Sequence, residues 1–209
     1  RQMCIRDRFR KEDELKKALE WANFRFWLTG EEPEKAIHDI NPSHISRVNV
    51  LLKEYLICGG YPGVSLKSNP LIMQKDLQEI YSLYIRRDIK DIGEIADIDG
   101  YNKLVTLLCL QTGGLIKEQE LSVSSGLSRP TIKKYLFLLE NTFVLGLLLP
   151  FYTNKRKEIT KSPKVYFEDV GLRNAVINNF VPPDRGSDGG AILGNFVYTQ
   201  LSRQKGGYE

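Results

Sequence analysis

The stretch Ser125-Gly126-Leu127-Ser128-Arg129-Pro130 constrains this 209-residue chain more than any other. The glycine suits a tight turn, Ser128 can cap a helix, and Pro130 falls in a first turn, where a missing N–H costs nothing. From Arg129 to Asn141 the apolar residues Ile132, Tyr135, Leu136 and Leu139 recur at helical spacing. The opposite face carries Arg129, Thr131, Lys133 and Lys134. Glu118 to Ser124 reads as a short preceding helix that carries Leu121. Val144 to Tyr152 and Lys164 to Phe167 read as strands, joined by the basic loop Thr153 to Pro163. Helix, glycine turn, capped helix and a ribbon with a basic tip is the order of a winged helix-turn-helix.

Charge sharpens that reading. Between Arg129 and Lys164 stand eight basic residues against Glu140 and Glu158 alone. This segment therefore carries +6 of a chain whose net charge is +4, and the remainder is slightly acidic. Such an asymmetry points to an anionic partner held by one part of the chain. A helix fits the major groove of DNA, and a basic loop adds phosphate contacts that ignore sequence. The candidate nucleic-acid residues are Arg129, Thr131, Lys133 and Lys134 on the helix, Lys155, Arg156 and Lys157 on the loop, and Lys161 after it. Double-stranded DNA is the expected partner. The same architecture also serves as a packing module between protein domains, and the sequence leaves both roles open.

The rest of the chain is helical in pattern. Glu12 to Leu28 places Leu15, Ala18, Leu19, Ala22 and Phe26 at helical spacing. Gly30 to Pro42 reads as loop. Ser43 can cap a second helix with Ile45, Val48, Leu51, Leu52, Tyr55 and Leu56 on its apolar face, broken at Gly59-Gly60-Tyr61-Pro62-Gly63. Asn69-Pro70 opens a third, with Leu71, Leu77, Ile80, Tyr81, Tyr84 and Ile85 on one face, ending in Arg86-Arg87-Asp88-Ile89. A fourth runs from about Gly100 to Gln111. The fold class expected is mainly α with a small β component.

Several functions lack the residues they need. No apolar run reaches the length of a membrane span, and no secretory signal opens the chain, so the expected compartment is cytoplasmic with no membrane partner. Three cysteines and two histidines lie far apart, without zinc-site spacing, and no metal site is expected. No G-x-x-x-x-G-K-[ST] loop occurs, so the chain alone is not a recognisable enzyme. Arg1 to Arg8 fits neither helix nor strand and resembles translated sequencing-adapter read-through. With the apolar Ile192 to Leu201 expected to pack on something further along, the chain reads as a fragment at both ends.

Ordered motifs then carry a resemblance. Glu54 to Pro62 (Glu-Tyr-Leu-Ile-Cys-Gly-Gly-Tyr-Pro), Tyr84 to Ile89, Thr131 to Glu140, Pro150 to Asn154, Lys161 to Phe167, Asp169 to Asn174 and Asn195 to Val197 follow one another as in the prokaryotic AAA-type ATP-binding proteins with a C-terminal domain of unknown function. The resemblance covers about Leu51 to Leu201. It implies an N-terminal P-loop ATPase module outside this chain, with ATP and Mg²⁺ belonging to that module. It implies a helical lid over residues 9–98, a winged helix-turn-helix over 99–160 and the truncated start of a restriction-endonuclease-like α/β domain over 161–209. Arg86 and Arg87 would be nucleotide-sensing candidates, and Asp169 would end the first strand of the nuclease-like domain. Gly194 stands where the family usually has glutamate, and a lone Asp169 cannot assemble a metal-dependent nuclease.

Overall fold

The computed structural model describes residues 42–83, 95–151 and 161–205. These form eight helices and one two-stranded antiparallel sheet, so the chain is mainly α with a small β component. In chain order they are α1 (Pro42–Cys58), α2 (Pro62–Ser65), α3 (Pro70–Ile80), α4 (Ile98–Leu110), α5 (Glu118–Ser125), α6 (Arg129–Asn141), β1 (Leu145–Leu148), β2 (Lys164–Phe167), α7 (Val170–Val176) and α8 (Gly189–Lys205). The helix expected over 12–28, the Arg86–Arg87 helix end and the Lys155–Lys157 loop lie outside the described residues.

Local chemistry sets the helix starts. Asp97 accepts from the Gly100 amide at 2.8 Å and opens α4. Asn69 accepts from Leu71 at 2.9 Å, with Pro70 in the first turn of α3. The expected apolar face of α3 needs one correction: Leu71 is 73% exposed, and the buried pair is Met73 and Leu77. Six residues separate Leu71 from Leu77, which at 3.6 per turn puts them on different faces. α1 begins at Pro42, ahead of the expected Ser43 cap.

The largest core lies under α4, α5 and α6. Leu104 and Leu108 meet Leu121, Ile132, Tyr135 and Leu139, and Tyr101 packs edge-on against Tyr135 at 5.4 Å. The sheet closes this core with Leu145, Val165 and Phe167. β1 pairs with β2 in the register Leu145↔Phe167 to Leu148↔Lys164. β1 is shorter than the expected Val144 to Tyr152, since Pro150 offers no N–H to extend the ladder. The other edge of β2 meets residues 113–116: Gly113 donates to the Val165 carbonyl at 2.7 Å and Ile116 to that of Pro163 at 2.8 Å.

α7 joins everything. Its residues Val170 to Ala175 are all buried, and three of them enter three different clusters. Leu172 joins the main core, Ala175 packs with Cys58, Met73 and Leu77, and Val170 packs with Tyr55, Leu56 and Ile192. Gly171 permits the closest approach: a Cβ there would run into the Cys58 carbonyl and sit 2.7 Å from the Gly59 nitrogen. The expected boundary at residue 161 therefore falls between two strands of one sheet, just ahead of a helix buried in the common core. α8 lies over the outer face of the sheet, where Tyr198 stacks on Tyr166 at 4.5 Å and fills the space above Gly146. Ile192 to Leu201 thus packs within this chain through Ile192, while Leu193, Val197 and Leu201 face outward.

Candidate nucleic-acid interface

The α5–turn–α6 unit is held by its own serines. Gly126 takes a left-handed φ of +80° at the end of α5, a conformation that costs glycine nothing. Ser122 donates to the Leu127 carbonyl at 2.6 Å and Ser125 to that of Leu121 at 2.6 Å. Leu127 is driven into the core between them. Ser128 then caps α6, accepting from the Thr131 amide at 3.3 Å, with Pro130 in the first turn. Ile132, Tyr135, Leu136 and Leu139 are buried, as their spacing predicts.

The outward face of α6 carries three of the seven expected cations. Arg129, Lys133 and Lys134 are exposed, and Lys161 is exposed beside the sheet. Thr131 is half-buried and its hydroxyl bonds to that of Ser128 at 2.7 Å, so it completes the cap. α5 holds two of the cations: Arg129 donates to Gln119 at 2.6 Å, and Lys133 lies 3.7 Å from Glu118. The Gln119 amide is neutral, so the charge of Arg129 is undiminished, whereas Glu118 offsets Lys133. Lys155, Arg156 and Lys157, like Arg86 and Arg87, lie outside the described residues.

Between α6 and the sheet runs a groove of about 650 Å³. Leu136, Phe137, Leu147 and Leu149 supply its apolar surface, and Lys117, Arg129, Lys133 and Lys161 its cations. Glu118 and Glu140 are the acids within it. Phe137 is 69% exposed, and Phe143 and Phe151 near the ends of β1 are 80% and 88% exposed. Phe143 also holds a positive φ of 56°, an uncommon state for a bulky side chain. In the sequence the groove is nearly silent. Its one signal was Phe137, a large apolar side chain of α6 outside the buried set.

Asp169 has a different place from the one the resemblance implies. It lies two residues past the end of β2 and turns inward, 3% exposed. Oδ1 accepts from the Leu172 amide at 3.0 Å, capping α7, and Oδ2 accepts from the Gly60 amide at 2.8 Å. It thereby ties the Gly59-Gly60 turn to the start of α7. Asn174 continues the tie by donating to the carbonyls of Leu56 and Ile57 at 3.1 and 2.9 Å. Arg173, fully buried, donates to the Cys109 carbonyl at 3.1 Å and to Asp188 at 2.6 Å. Asn195 uses its amide to mimic a strand, accepting from the Phe167 N–H at 2.6 Å and donating to the Phe167 carbonyl at 2.8 Å. These motif residues serve as polar fasteners of the buried core. Among the described residues, no group of three or more His, Cys, Asp or Glu could hold a metal ion. Among the same residues, no helix is long and apolar enough to cross a membrane.

Comparison with known proteins adds a family. Residues 49–182 match the model described as a domain of unknown function, DUF8612. An uncharacterized protein of Mycobacterium tuberculosis is 28% identical over 121 residues, which cover 57% of this chain and 27% of that protein. An uncharacterized protein of Haemophilus influenzae is 26% identical over 174 residues, covering 80% of this chain and 42% of that protein. The chain thus spans well under half the length of these curated relatives. No solved structure matches it.

Proposed function

The chain belongs to the DUF8612 family, and from that premise we propose that its α5–α6 unit contacts double-stranded DNA within a longer AAA-type ATP-binding protein. The observation that carries the reading is the capped N-terminal half of α6, which presents Arg129, Lys133 and Lys134 to solvent. Basic side chains near the start of an exposed helix suit phosphate contact and entry into the major groove. The ATPase half of the reading rests on the ordered motifs that resemble AAA-type proteins. It is compatible with a chain that spans 27% and 42% of two relatives' lengths. The described residues do not themselves fit ATP or Mg²⁺: both oxygens of Asp169 are taken by backbone amides, and no phosphate-binding loop occurs in the sequence. Arg86 and Arg87 would sense nucleotide bound elsewhere in the longer protein. The chain's own part is then to relay that state to α6. A nuclease role is the least supported, because Asp169 is buried as a cap.

A second reading, an intramolecular packing or protein-interaction module, is favoured by one specific observation: Phe137, Phe143 and Phe151 stand exposed. Duplex DNA makes little use of such surface. Fluorescence anisotropy with a labelled duplex at low and moderate salt separates the two. DNA contact predicts affinity that falls with salt, and a Lys133→Ala/Lys134→Ala variant should lower the log–log salt slope by about 0.9 for each phosphate it no longer neutralises. A Lys155/Arg156/Lys157→Ala variant tests the loop in the same way. A folded chain that binds no duplex at low salt would remove the DNA reading and leave the packing module.

A further inference from the structure

Beyond DNA contact, we propose that the groove between α6 and the sheet is a docking site for an acidic amphipathic segment of a protein partner. Its volume of about 650 Å³ is within the range of specific clefts, roughly 300–1,000 Å³. Leu136, Phe137, Leu147 and Leu149 come from a helix and a strand end and all line it. Packing does not require Phe137 to be apolar, since it is 69% exposed, and Leu149 is 47% exposed. An exposed apolar strip rimmed by polar groups marks an interaction surface.

Charge then selects the partner. Lys117, Arg129, Lys133 and Lys161 line the groove against Glu118 and Glu140, a surplus of two positive charges. Lys133 spends part of its charge on Glu118 and Lys117 on Glu120 at 2.7 Å. Arg129 donates to the neutral amide of Gln119, so its charge is available to an incoming carboxylate. A nucleic-acid strand laid along the groove would present phosphate charge at close, regular intervals and meet Glu118 and Glu140 as well as the cations. A peptide places its charges one by one. It can set Asp or Glu opposite Arg129 and Lys161, leave neutral residues opposite Glu140, and insert apolar side chains between them. That combination of apolar anchors and complementary charge is how amphipathic segments are read in grooves.

The test is to pan a random 12-residue display library against the full chain and measure the enriched peptide by anisotropy. A consensus of bulky apolar residues spaced by Asp or Glu is expected. Its affinity should fall with salt and drop at least about tenfold in Leu149→Glu and in Phe137→Glu. Lys134→Ala, which lies outside the groove, should leave the peptide affinity unchanged while weakening any duplex binding. Both glutamates enter exposed positions, and circular dichroism confirms that each variant keeps its fold. No enriched consensus, a basic consensus, or binding indifferent to Leu149→Glu and Phe137→Glu would overturn the proposal. So would a labelled single-stranded oligonucleotide that binds the chain and is lost in the same two variants, since the groove would then belong to nucleic acid.

Discussion

Replacing Asp169 with alanine tests the central claim about the buried junction, that this acid is a fastener and not a reacting group. Two hydrogen bonds disappear: the cap to the Leu172 amide and the tie to the Gly60 amide, both inside the protein. Losing a helix cap costs about 1 kcal/mol, and leaving the buried Gly60 N–H without its acceptor costs about 1–3 kcal/mol more. The sum is about 3 kcal/mol, which for a chain of this size lowers the melting temperature by roughly 6–12 °C. Asp169→Asn keeps an oxygen for the cap, as good there as a carboxylate, but turns an NH₂ toward Gly60. It should therefore lose only about half as much. Thermal unfolding followed by circular dichroism at 222 nm gives both midpoints. An acid held for metal or catalysis is usually a burden on stability, so its removal would leave the midpoint unchanged or higher. An alanine variant within about 2 °C of the parent, or an asparagine variant as damaged as the alanine one, would refute the reasoning.

Gly171→Ala should be at least as severe, about 3 kcal/mol, because the added methyl meets the backbone of Cys58 and Gly59, which cannot swing aside; urea titration would show the midpoint fall. Asn195→Ala leaves both backbone groups of Phe167 without their side-chain partner and should cost about 2–4 kcal/mol by the same measurement. Burial pushes the Cys109 thiol well above its ordinary range, with Arg173 opposing only in part. Iodoacetamide at pH 8 should therefore modify Cys109 only as fast as the chain unfolds, and rapid labelling of the folded chain would contradict this. Burial likewise raises the phenol of Tyr198, with the charges of Glu168 and Glu140 adding to it. The unfolded chain then gives up that proton first as pH climbs past about 10, so stability is intact near neutrality and declines on the alkaline side. Tyr198→Phe should lessen that decline, and an unchanged alkaline profile would count against it.

What the sequence made legible, and what it hid, follows from the range of the forces involved. α6 is set by contacts within one or two turns: the Ser128 cap, Pro130 in the first turn and four apolar residues at helical spacing, so its bounds and buried face could be read directly. The Ser125-Gly126-Leu127 turn and the pairing of Lys164–Phe167 with the strand before the basic loop were legible for the same reason. The role of Asp169 was not, because its partner Gly60 lies 109 residues away, and no periodicity links a strand end to a distant glycine turn. Arg173 and Asn174 look like solvated residues of a short helix until the fold buries that helix on every side. The groove was hidden by the opposite logic. Periodicity finds the face a helix turns inward, whereas Phe137 and Leu149 come from the leftover faces of separate elements and gain meaning only when the sheet brings them together. The motifs that carried the family resemblance thus fall largely on the fasteners of the core, Gly59-Gly60 and Asp169 to Asn174 among them. Substitutions there should report on folding, and substitutions on the outward faces of α6 and β1 on partners.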